Sequence, residues 1–424
     1  MKVLIITLLI TLSVNIYTQE LFNKYFEQGV IRVDFNLSGN DQSEEVFLIQ
    51  IKKEPLWGGS KVNLIDTFNF GEFKYSVFDS ISGQLIYSGG FCTLFQEWQA
   101  TLEAEKIKRS FYETVTFPFP IASVRLEIAK RNKSGVFNNI FELYINPKDI
   151  FIKTDMVKAD TDRIRYNGEP DKNLDIAFLP DGYTRSEMKK FRSDVNRFAG
   201  YLFSDPAFAE FKDKINIWAV MAPSDESGTD IPGDGIWKNT VLNTSFYTFG
   251  SDRYLTTFDI RSVRDLAANV PYDQIYILVN TDIYGGGGVY NYYSLTSTDN
   301  YSSKEVFLHE FGHGLAGLAD EYYTSEVSVE DYYDLKLEPW EANITTLVDF
   351  DSKWKNMLDK NTPVPTPMSE KYLRKVGVFE GAGYSAKGIY RSYSDCMMMS
   401  LGALEGFCPV CRKTIALKIK FLTD

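Results

Sequence analysis

The chain has 424 residues, of which 44% are hydrophobic and 15% aromatic, so it can form more than one packed core and is predicted to be multidomain. Its formal net charge is −12, and no block of Lys and Arg forms a basic patch that would attract phosphate or anionic lipid. Composition and charge therefore argue against a nucleic-acid partner and against a membrane-binding basic surface.

Residues 1–18 have the pattern of a secretory signal peptide. Lys2 supplies one positive charge, and the apolar run behind it ends near Asn15, which makes the run too short to span a bilayer. We predict cleavage near Thr18 or Gln19 and an exported protein, with an uncleaved membrane anchor as the alternative. No other stretch looks transmembrane, so no transmembrane segment is expected after signal removal.

Short runs of alternating apolar and polar residues fill the chain from 21 to 144. Examples are residues 31–35 (IRVDF) and 122–128 (ASVRLEI). This period-two pattern is typical of strands with one buried face, so residues 19–152 are predicted to form an N-terminal all-β sandwich of immunoglobulin-like kind. The polar, irregular stretch from 146 to 173 marks the domain boundary.

Helical and strand patterns interleave after this boundary. Residues 174–179, 215–220 and 274–279 are apolar runs typical of buried strands, and residues 186–203 have helical spacing. Residues 153–424 are therefore predicted to form a second domain of the α/β or α+β class.

A run of four glycines, residues 285–288, precedes residues 289–296, which alternate in strand fashion. This strand is a candidate to pair with an extended peptide through main-chain hydrogen bonds. The glycines are consistent with a moving rim or with a flexible surface loop, and the sequence does not separate these interpretations.

The chain contains two histidines, His309 and His313, and Glu310 directly follows the first. Residues four apart lie on one helix face, so both imidazoles can converge on one zinc ion, which accepts imidazole nitrogen at roughly 2.0–2.1 Å. Glu310, one position round the helix, can act as a general base on a water at the ion without ligating it. Chance would produce this arrangement in on the order of one in a few thousand such chains. We therefore predict one catalytic Zn²⁺.

The neighbouring residues predict where this helix begins and ends. Ser302 and Glu305 have the spacing of a capping box, and Gly317 is suited to end the helix. A catalytic zinc keeps three protein ligands and one open position. Asp320, just after the turn, is predicted to be the third ligand, with Glu321 as the main alternative and a more distant acid as another.

Residues 309–323 (HEFGHGLAGLADEYY) resemble the bacterial immunoglobulin A peptidase family, M64, which combines a zincin motif with metzincin-like features. Residues 174–183 (LDIAFLPDGY) and 388–391 (GIYR) look like further pieces of it. The resemblance implies a zincin-like metallopeptidase domain and a secreted zinc endopeptidase that hydrolyses peptide bonds. A bacterial protein that is secreted, periplasmic or held at the cell surface is therefore expected.

The same resemblance implies roles for the motif residues. His309 and His313 would bind the metal, Glu310 would be the catalytic base, and an acidic residue, assigned here to Asp320, would complete the coordination. In the metzincin string HExxHxxGxxH the glycine and the third ligand come one residue earlier, and that ligand is a histidine. This difference from the metzincin string affects the assignment of the third ligand more than the prediction that zinc is bound.

The end of the chain is similar to the methionine turn and cysteine-bearing end of metzincin-like peptidases. Met398, in residues 396–399 (CMMM), is the candidate for the methionine beneath the metal, with ordinary core packing as the alternative. Tyr390, Arg391 and Tyr393, just ahead of this turn, are alternative candidates to stabilise an oxyanion, with ordinary packing as the other interpretation of the tyrosines.

Three of the four cysteines, Cys396, Cys408 and Cys411, lie near the end of the chain, while Cys92 stands alone. The single pair Cys408-x-x-Cys411 supplies only two metal ligands. We therefore predict a disulfide from Cys396 to Cys408 or to Cys411, which export permits.

The predicted partner is a protein or peptide substrate, and host immunoglobulin is suggested by the family label alone. The alternative from another class is a non-catalytic surface binding protein, in which the sandwich recognises a glycan or protein and the zinc site is structural. A fourth protein ligand would favour the binding protein, whereas a water beside Glu310 would favour catalysis.

Overall fold

The computed structural model describes residues 21–323 and 332–424, and the predicted signal peptide, residues 1–18, lies outside the described residues. A β-rich N-terminal region is followed by a region of mixed α/β structure. In these two described stretches, no helix has both the length and the apolar character needed to cross a membrane.

Antiparallel strands dominate the N-terminal region, which contains β1 (Phe26–Gly39), β2 (Glu44–Glu54), β3 (Phe73–Asp79), β4 (Leu85–Phe91), α1 (Leu94–Gln99), β5 (Arg109–Pro120), β6 (Val124–Arg131) and β7 (Phe137–Ile145). They form one sheet in the order β2-β1-β5 and another in the order β4-β3-β6-β7. Along β6, Val124, Leu126 and Ile128 are buried while the residues between them are partly exposed. The predicted alternation is confirmed here.

The C-terminal region is built from β8 (Asp160–Arg165), β9 (Leu174–Asp181), α2 (Met188–Ser204), α3 (Pro206–Ala209), β10 (Ile215–Met221), α4 (Ile260–Ala267), β11 (Gln274–Val279), β12 (Gly286–Val289), β13 (Tyr293–Ser297), α5 (Ser303–Ala316), β14 (Ile344–Thr345), β15 (Phe379–Ala382), β16 (Ser385–Arg391) and α6 (Pro409–Thr423). Its main sheet has the order β12-β13-β11-β9-β10-β8. The four central strands are parallel and the two edge strands antiparallel. A small sheet has the order β14-β16-β15.

The three apolar runs predicted as buried strands are confirmed as β9, β10 and β11, and the predicted helix is α2. Every residue of β9 and β11 is buried. Strands covered on both faces carry continuous apolar runs instead of alternation, so the short length of these runs, and not their periodicity, identified them as strands.

The predicted strand at residues 289–296 is wrong in its extent, because the chain turns at residues 290–292 between β12 and β13. The glycine run itself forms β12, an edge strand of the main sheet. A Cβ atom at Gly288 would lie 2.3 Å from the backbone oxygen of Glu310, and one at Gly286 would lie 2.5 Å from Val306. These two glycines therefore allow the edge strand to pack directly on α5.

The two regions pack against each other through one hydrophobic cluster that runs from the N-terminal sheets to α4, β11 and β13. Charged groups also cross the boundary. The buried Arg32 of β1 donates to Asp265 of α4 at 2.8 Å, and Lys52 donates to the same carboxylate at 3.0 Å. The N-terminal region is thus fixed relative to the main sheet by apolar and ionic contacts.

Glu113 on β5 is fully buried where the two regions meet, near Tyr292 and Arg264. Burial raises the pKa of its carboxyl group from 4.5 to about 8, although Tyr292 and Arg264 oppose the shift. The folded protein binds the Glu113 proton more tightly than the unfolded chain does. The contribution of this proton to the free energy of unfolding is therefore fully present below pH 4.5 and is lost as the pH rises through about 8. Between pH 4.5 and about 8, we expect the free energy of unfolding of Glu113→Gln to rise relative to that of the wild type by on the order of 1.4 kcal/mol per pH unit.

Urea unfolding at a series of pH values measures this difference. Glu105→Gln, at an exposed position, is the matched control. If both variants follow the wild type equally across the pH series, the buried carboxyl group does not act as described.

Candidate metal site and catalytic centre

Helix α5 presents both histidines to one point. The Nε2 atoms of His309 and His313 are 3.1 Å apart, and Oδ1 of Asp320 lies 3.0 Å from the first and 3.3 Å from the second. A tetrahedron whose centre is about 2.0 Å from each corner has edges of about 3.3 Å, so this triangle matches three ligands of one zinc-sized ion. The three residues fit a metal ion that keeps a fourth position for another group.

The other nitrogen of each imidazole faces a backbone carbonyl. Nδ1 of His309 is 2.9 Å from the oxygen of Met397, and Nδ1 of His313 is 2.5 Å from the oxygen of Leu318. Because a carbonyl oxygen only accepts, these contacts favour a proton on each Nδ1 and a lone pair on each Nε2. Two lone pairs and a carboxylate oxygen at one point repel each other unless a cation lies between them.

The pKa of His313 also indicates that positive charge is favoured at this point. Burial lowers the pKa of its imidazole, but the negative charges of Asp320 and Glu310 outweigh this effect and raise the pKa to about 9. The surroundings therefore favour a proton or a metal ion at this point over neutral, unliganded imidazoles.

Asp320 reaches the histidines because α5 ends one turn earlier. Gly317 adopts the left-handed conformation, with φ of 57°, and its N–H donates to the carbonyl of His313 at 2.9 Å. The predicted helix end is confirmed. Oδ2 of Asp320 accepts a hydrogen bond from Tyr384 at 2.5 Å, which orients Oδ1 toward the two imidazoles.

Glu321, the alternative third ligand, points elsewhere. Its Oε1 accepts from the Asn343 side chain at 3.0 Å and lies 3.5 Å from Sγ of Cys411. The structure thus brings Asp320 to the histidines and leaves Glu321 among the cysteines.

The predicted capping box at the start of α5 is wrong. Ser302 is the N-cap residue, but its side chain makes no capping hydrogen bond. Asn300, two residues before Ser302, forms the turn instead, because its side chain accepts from the Ser302 N–H at 3.0 Å and its carbonyl from the Ser303 N–H at 3.1 Å. Asn300 therefore takes the Ser302 N–H, which the motif assigned to the Glu305 side chain.

Glu310 lies beside the histidines, where α5 meets β12. Burial raises the pKa of its carboxyl group, while His309 and His313 lower it. A Cβ atom on Gly286 would lie 3.0 Å from Oε1 of Glu310, so the carboxylate packs against the edge strand. The backbone oxygen of Glu310 accepts from the Ser294 hydroxyl at 3.0 Å, which joins the helix to β13.

His309, Glu310, His313 and Asp320 line a cavity of about 530 Å³, a volume typical of ligand sites. The N-terminal region contributes part of its wall, including Gln96 and Glu97. The Tyr254 hydroxyl donates to Glu97 at 2.5 Å. Burial raises the pKa of the Glu97 carboxyl group to about 7, and this hydrogen bond opposes the shift. The cavity is therefore shared between the two regions of the chain.

Met398 is fully buried, and a Cβ atom on Gly312 would lie 3.0 Å from its sulfur, so it packs beneath α5. Tyr390, Arg391 and Tyr393 are not among the described residues that line the cavity. The Tyr393 hydroxyl donates instead to Glu405 at 3.3 Å.

Tyrosines other than Tyr390 and Tyr393 lie at the site. Tyr384 contacts Asp320, and the Tyr322 ring is stacked on His309 with centroids 6.4 Å apart. Tyr254 and Tyr284 line the cavity. The sequence did not predict that Tyr254, Tyr284 and Tyr384 lie at the site, because they come from segments far from the motif.

The predicted disulfide is not formed, and all four cysteines are free. The sulfur atoms of Cys396 and Cys411 are 3.7 Å apart, whereas a disulfide bond is about 2.05 Å long. Cys408 lies in the same buried group, with its Sγ 3.2 Å from the Ser392 hydroxyl. The prediction correctly grouped these cysteines but was wrong about the bond.

Two protein families match this chain. The family described as IgA Peptidase M64 matches residues 163–376 and 369–419, which include the histidines, Glu310 and Asp320. The family described as Peptidase M64 N-terminus matches residues 21–142. None of the curated proteins compared with the chain matches it.

Proposed function

Since the chain belongs to the IgA Peptidase M64 family, and is therefore a metallopeptidase with protein substrates, we propose that it is a zinc-dependent endopeptidase. In this proposal His309, His313 and Asp320 hold the ion and Glu310 is the general base. The observation that supports it best is the triangle of 3.0 to 3.3 Å formed by two imidazole nitrogens and a carboxylate oxygen. An open fourth position suits a catalytic ion.

When bound, zinc polarises the scissile carbonyl group and lowers the pKa of water. The protein residues do the remaining work. Glu310 takes a proton from the attacking water and returns it to the nitrogen of the leaving amine. The carbonyls of Met397 and Leu318 hold the two imidazoles in one tautomer, and the Tyr384 hydroxyl holds Asp320.

The edge strand β12 is proposed to pair with the main chain of the substrate. Gly286 accepts a hydrogen bond from the Leu255 N–H at 3.4 Å on the side of β12 that faces away from β13. Because backbone groups alternate along a strand, the N–H and C=O of Gly288 point to this same outer side. An extended peptide along Gly288 would therefore lie beside Glu310.

The remaining assignments are also proposals. We propose that the two N-terminal sheets form an immunoglobulin-like sandwich over residues 19–152 and that residues 153–424 form a zincin-like domain. Export is proposed from the pattern of residues 1–18, and host immunoglobulin as a substrate from the family description. The N-terminal contribution to the cavity wall supports a role for that region in substrate contact.

Removal of the metal tests the catalytic proposal. Casein and immunoglobulin A are incubated with purified protein, with chelator-treated protein, and with treated protein after addition of zinc or magnesium. We expect internal cleavage fragments by mass spectrometry, their loss after chelation, and recovery with zinc but not magnesium, because imidazole ligands favour zinc. Cleavage that is insensitive to chelation would contradict the proposal. Metal binding without cleavage of any protein substrate would favour a non-catalytic binding protein.

A further inference from the structure

A second group of metal-binding side chains lies next to the first site. It consists of Glu321, Cys396, Cys408 and Cys411, all of them buried, with their potential ligand atoms within 4.8 Å of one another. None of these residues contributes to the triangle formed by the two histidines and Asp320. We define these four residues as the cysteine cluster.

The distances in the cysteine cluster fit a shared ion better than a bond between two sulfurs. Sγ of Cys396 and Sγ of Cys411 are 3.7 Å apart, and Sγ of Cys411 is 3.5 Å from Oε1 of Glu321. A tetrahedral zinc ion with Zn–S distances of about 2.3 Å has sulfur ligands about 3.8 Å apart. The observed separation is therefore close to that of two ligands on one ion.

Backbone and hydroxyl groups around the cysteine cluster suit thiolates. Cys408 is the N-cap residue of α6, and its sulfur accepts from the Cys411 N–H at 3.5 Å. The Cys408 N–H in turn lies 3.2 Å from Sγ of Cys396 and donates to it. The Ser392 hydroxyl lies 3.2 Å from Sγ of Cys408. N–H donors at the positive end of a helix stabilise thiolates, the form in which cysteine binds metals.

Among the described residues, only one oxygen of the Glu321 carboxylate has hydrogen-bond donors, since Oε1 accepts from the Asn343 side chain at 3.0 Å. Glu321 is 0% exposed, and its Oε2 has no hydrogen-bond partner among the described residues. Arg391 is a nearby cation, but its Nη1 donates to the carbonyls of Glu380 and Gly381. A buried carboxylate with an unpaired oxygen beside three thiols is costly unless a cation neutralises it.

We propose that the cysteine cluster is a second zinc site, structural in role, with three thiolates and the Glu321 carboxylate as its four ligands. Closed coordination by four protein groups is typical of structural zinc, and thiolate ligands favour zinc over magnesium or calcium. The site does not depend on the proposed peptidase activity.

The second site would also position the first. Asp320 and Glu321 are consecutive, and the Glu321 N–H donates to the carbonyl of Met398 at 2.7 Å. The neighbouring carbonyl of Met397 holds Nδ1 of His309. An ion that joins Glu321 to Cys396 therefore fixes the turn on which His309 and Asp320 depend.

The metal content of tag-free, full-length protein tests this proposal. By inductively coupled plasma mass spectrometry, we expect two zinc ions per chain in the wild type and one in the double variant His309→Ala/His313→Ala. Cobalt exchanged into the double variant should show intense sulfur-to-cobalt charge transfer, since its remaining ligands include thiolates. One ion in the wild type and none in the double variant would overturn the proposal.

A thiol titration tests the same proposal without a variant of the site. The wild type, unfolded with chelator and without reductant, should yield four reactive thiols, matching its four cysteines. A yield of two would identify a disulfide and overturn the proposal. Cys92→Ser is the matched control, because Cys92 is buried but lies outside the cysteine cluster. It should retain two zinc ions and lose one thiol.

Failure of the peptidase proposal gives a different result. A wild type that binds two zinc ions and yields four thiols, but cleaves no protein, would leave the cysteine cluster assignment intact. Conversely, chelator-sensitive cleavage with a single zinc ion and two thiols would support catalysis and contradict the second site.

Discussion

Glu310→Gln is expected to slow peptide-bond cleavage by about 100- to 10,000-fold while the protein stays folded and keeps its metal. Glutamine has nearly the same size but cannot take a proton from water, and general-base catalysis contributes a factor on the order of 100 to 10,000. The side chain is packed between α5 and β12, so a substitution that preserves its shape should not disturb the ligands. The rate constant kcat on a casein substrate is the quantity to measure.

Glu305→Gln is the matched control, since Glu305 lies in the first turn of the same helix and is only partly exposed. It does not line the cavity. We expect the control to cleave at the rate of the wild type. If Glu310→Gln cleaves as fast as the control while holding the same amount of zinc, another group must accept the proton.

Asp320→Ala is expected to release the catalytic ion and remove activity. The variant leaves only two imidazoles at a site that needs three protein ligands. We therefore expect the variant to lose one zinc ion per chain, measured after dialysis against a weak chelator, and to lose casein cleavage. A circular dichroism spectrum like that of the wild type would show that the fold is retained.

Tyr384→Phe provides a graded comparison, because it removes only the hydrogen bond at 2.5 Å to Oδ2 of Asp320. Loss of such an outer partner weakens metal binding by about 10- to 100-fold, so the variant should keep activity when zinc is supplied in excess. If Asp320→Ala retains the zinc content and activity of the wild type, Glu321 or a more distant acid is the third ligand.

The sequence predicted those parts of the molecule in which neighbouring residues decide the structure. The spacing of His309 and His313 requires only that the segment be helical, and Gly317 is suited to end that helix whatever surrounds it. The continuous apolar runs of β9, β10 and β11 likewise predicted buried strands. In each of these cases the signal and the structure lie within a few residues of each other.

Local patterns failed where a distant segment competed with them or completed them. The glycines of β12 were consistent with a moving rim or a flexible surface loop, yet two of them permit close contact with α5. Three crowded cysteines suggested a disulfide, yet Glu321 lies beside them. Nothing in the spacing of these motifs states which other segment will pack against them.

By itself, the sequence determined the two-histidine motif, the helix that carries it and the alternation of buried strands and helices. Only the tertiary structure decided that Asp320 faces the histidines while Glu321 joins the cysteines, and that Tyr384 and Glu97 belong to the cavity. The physical reason is that helical periodicity and burial act over neighbouring residues. Convergence of side chains from distant segments depends instead on how the whole chain packs.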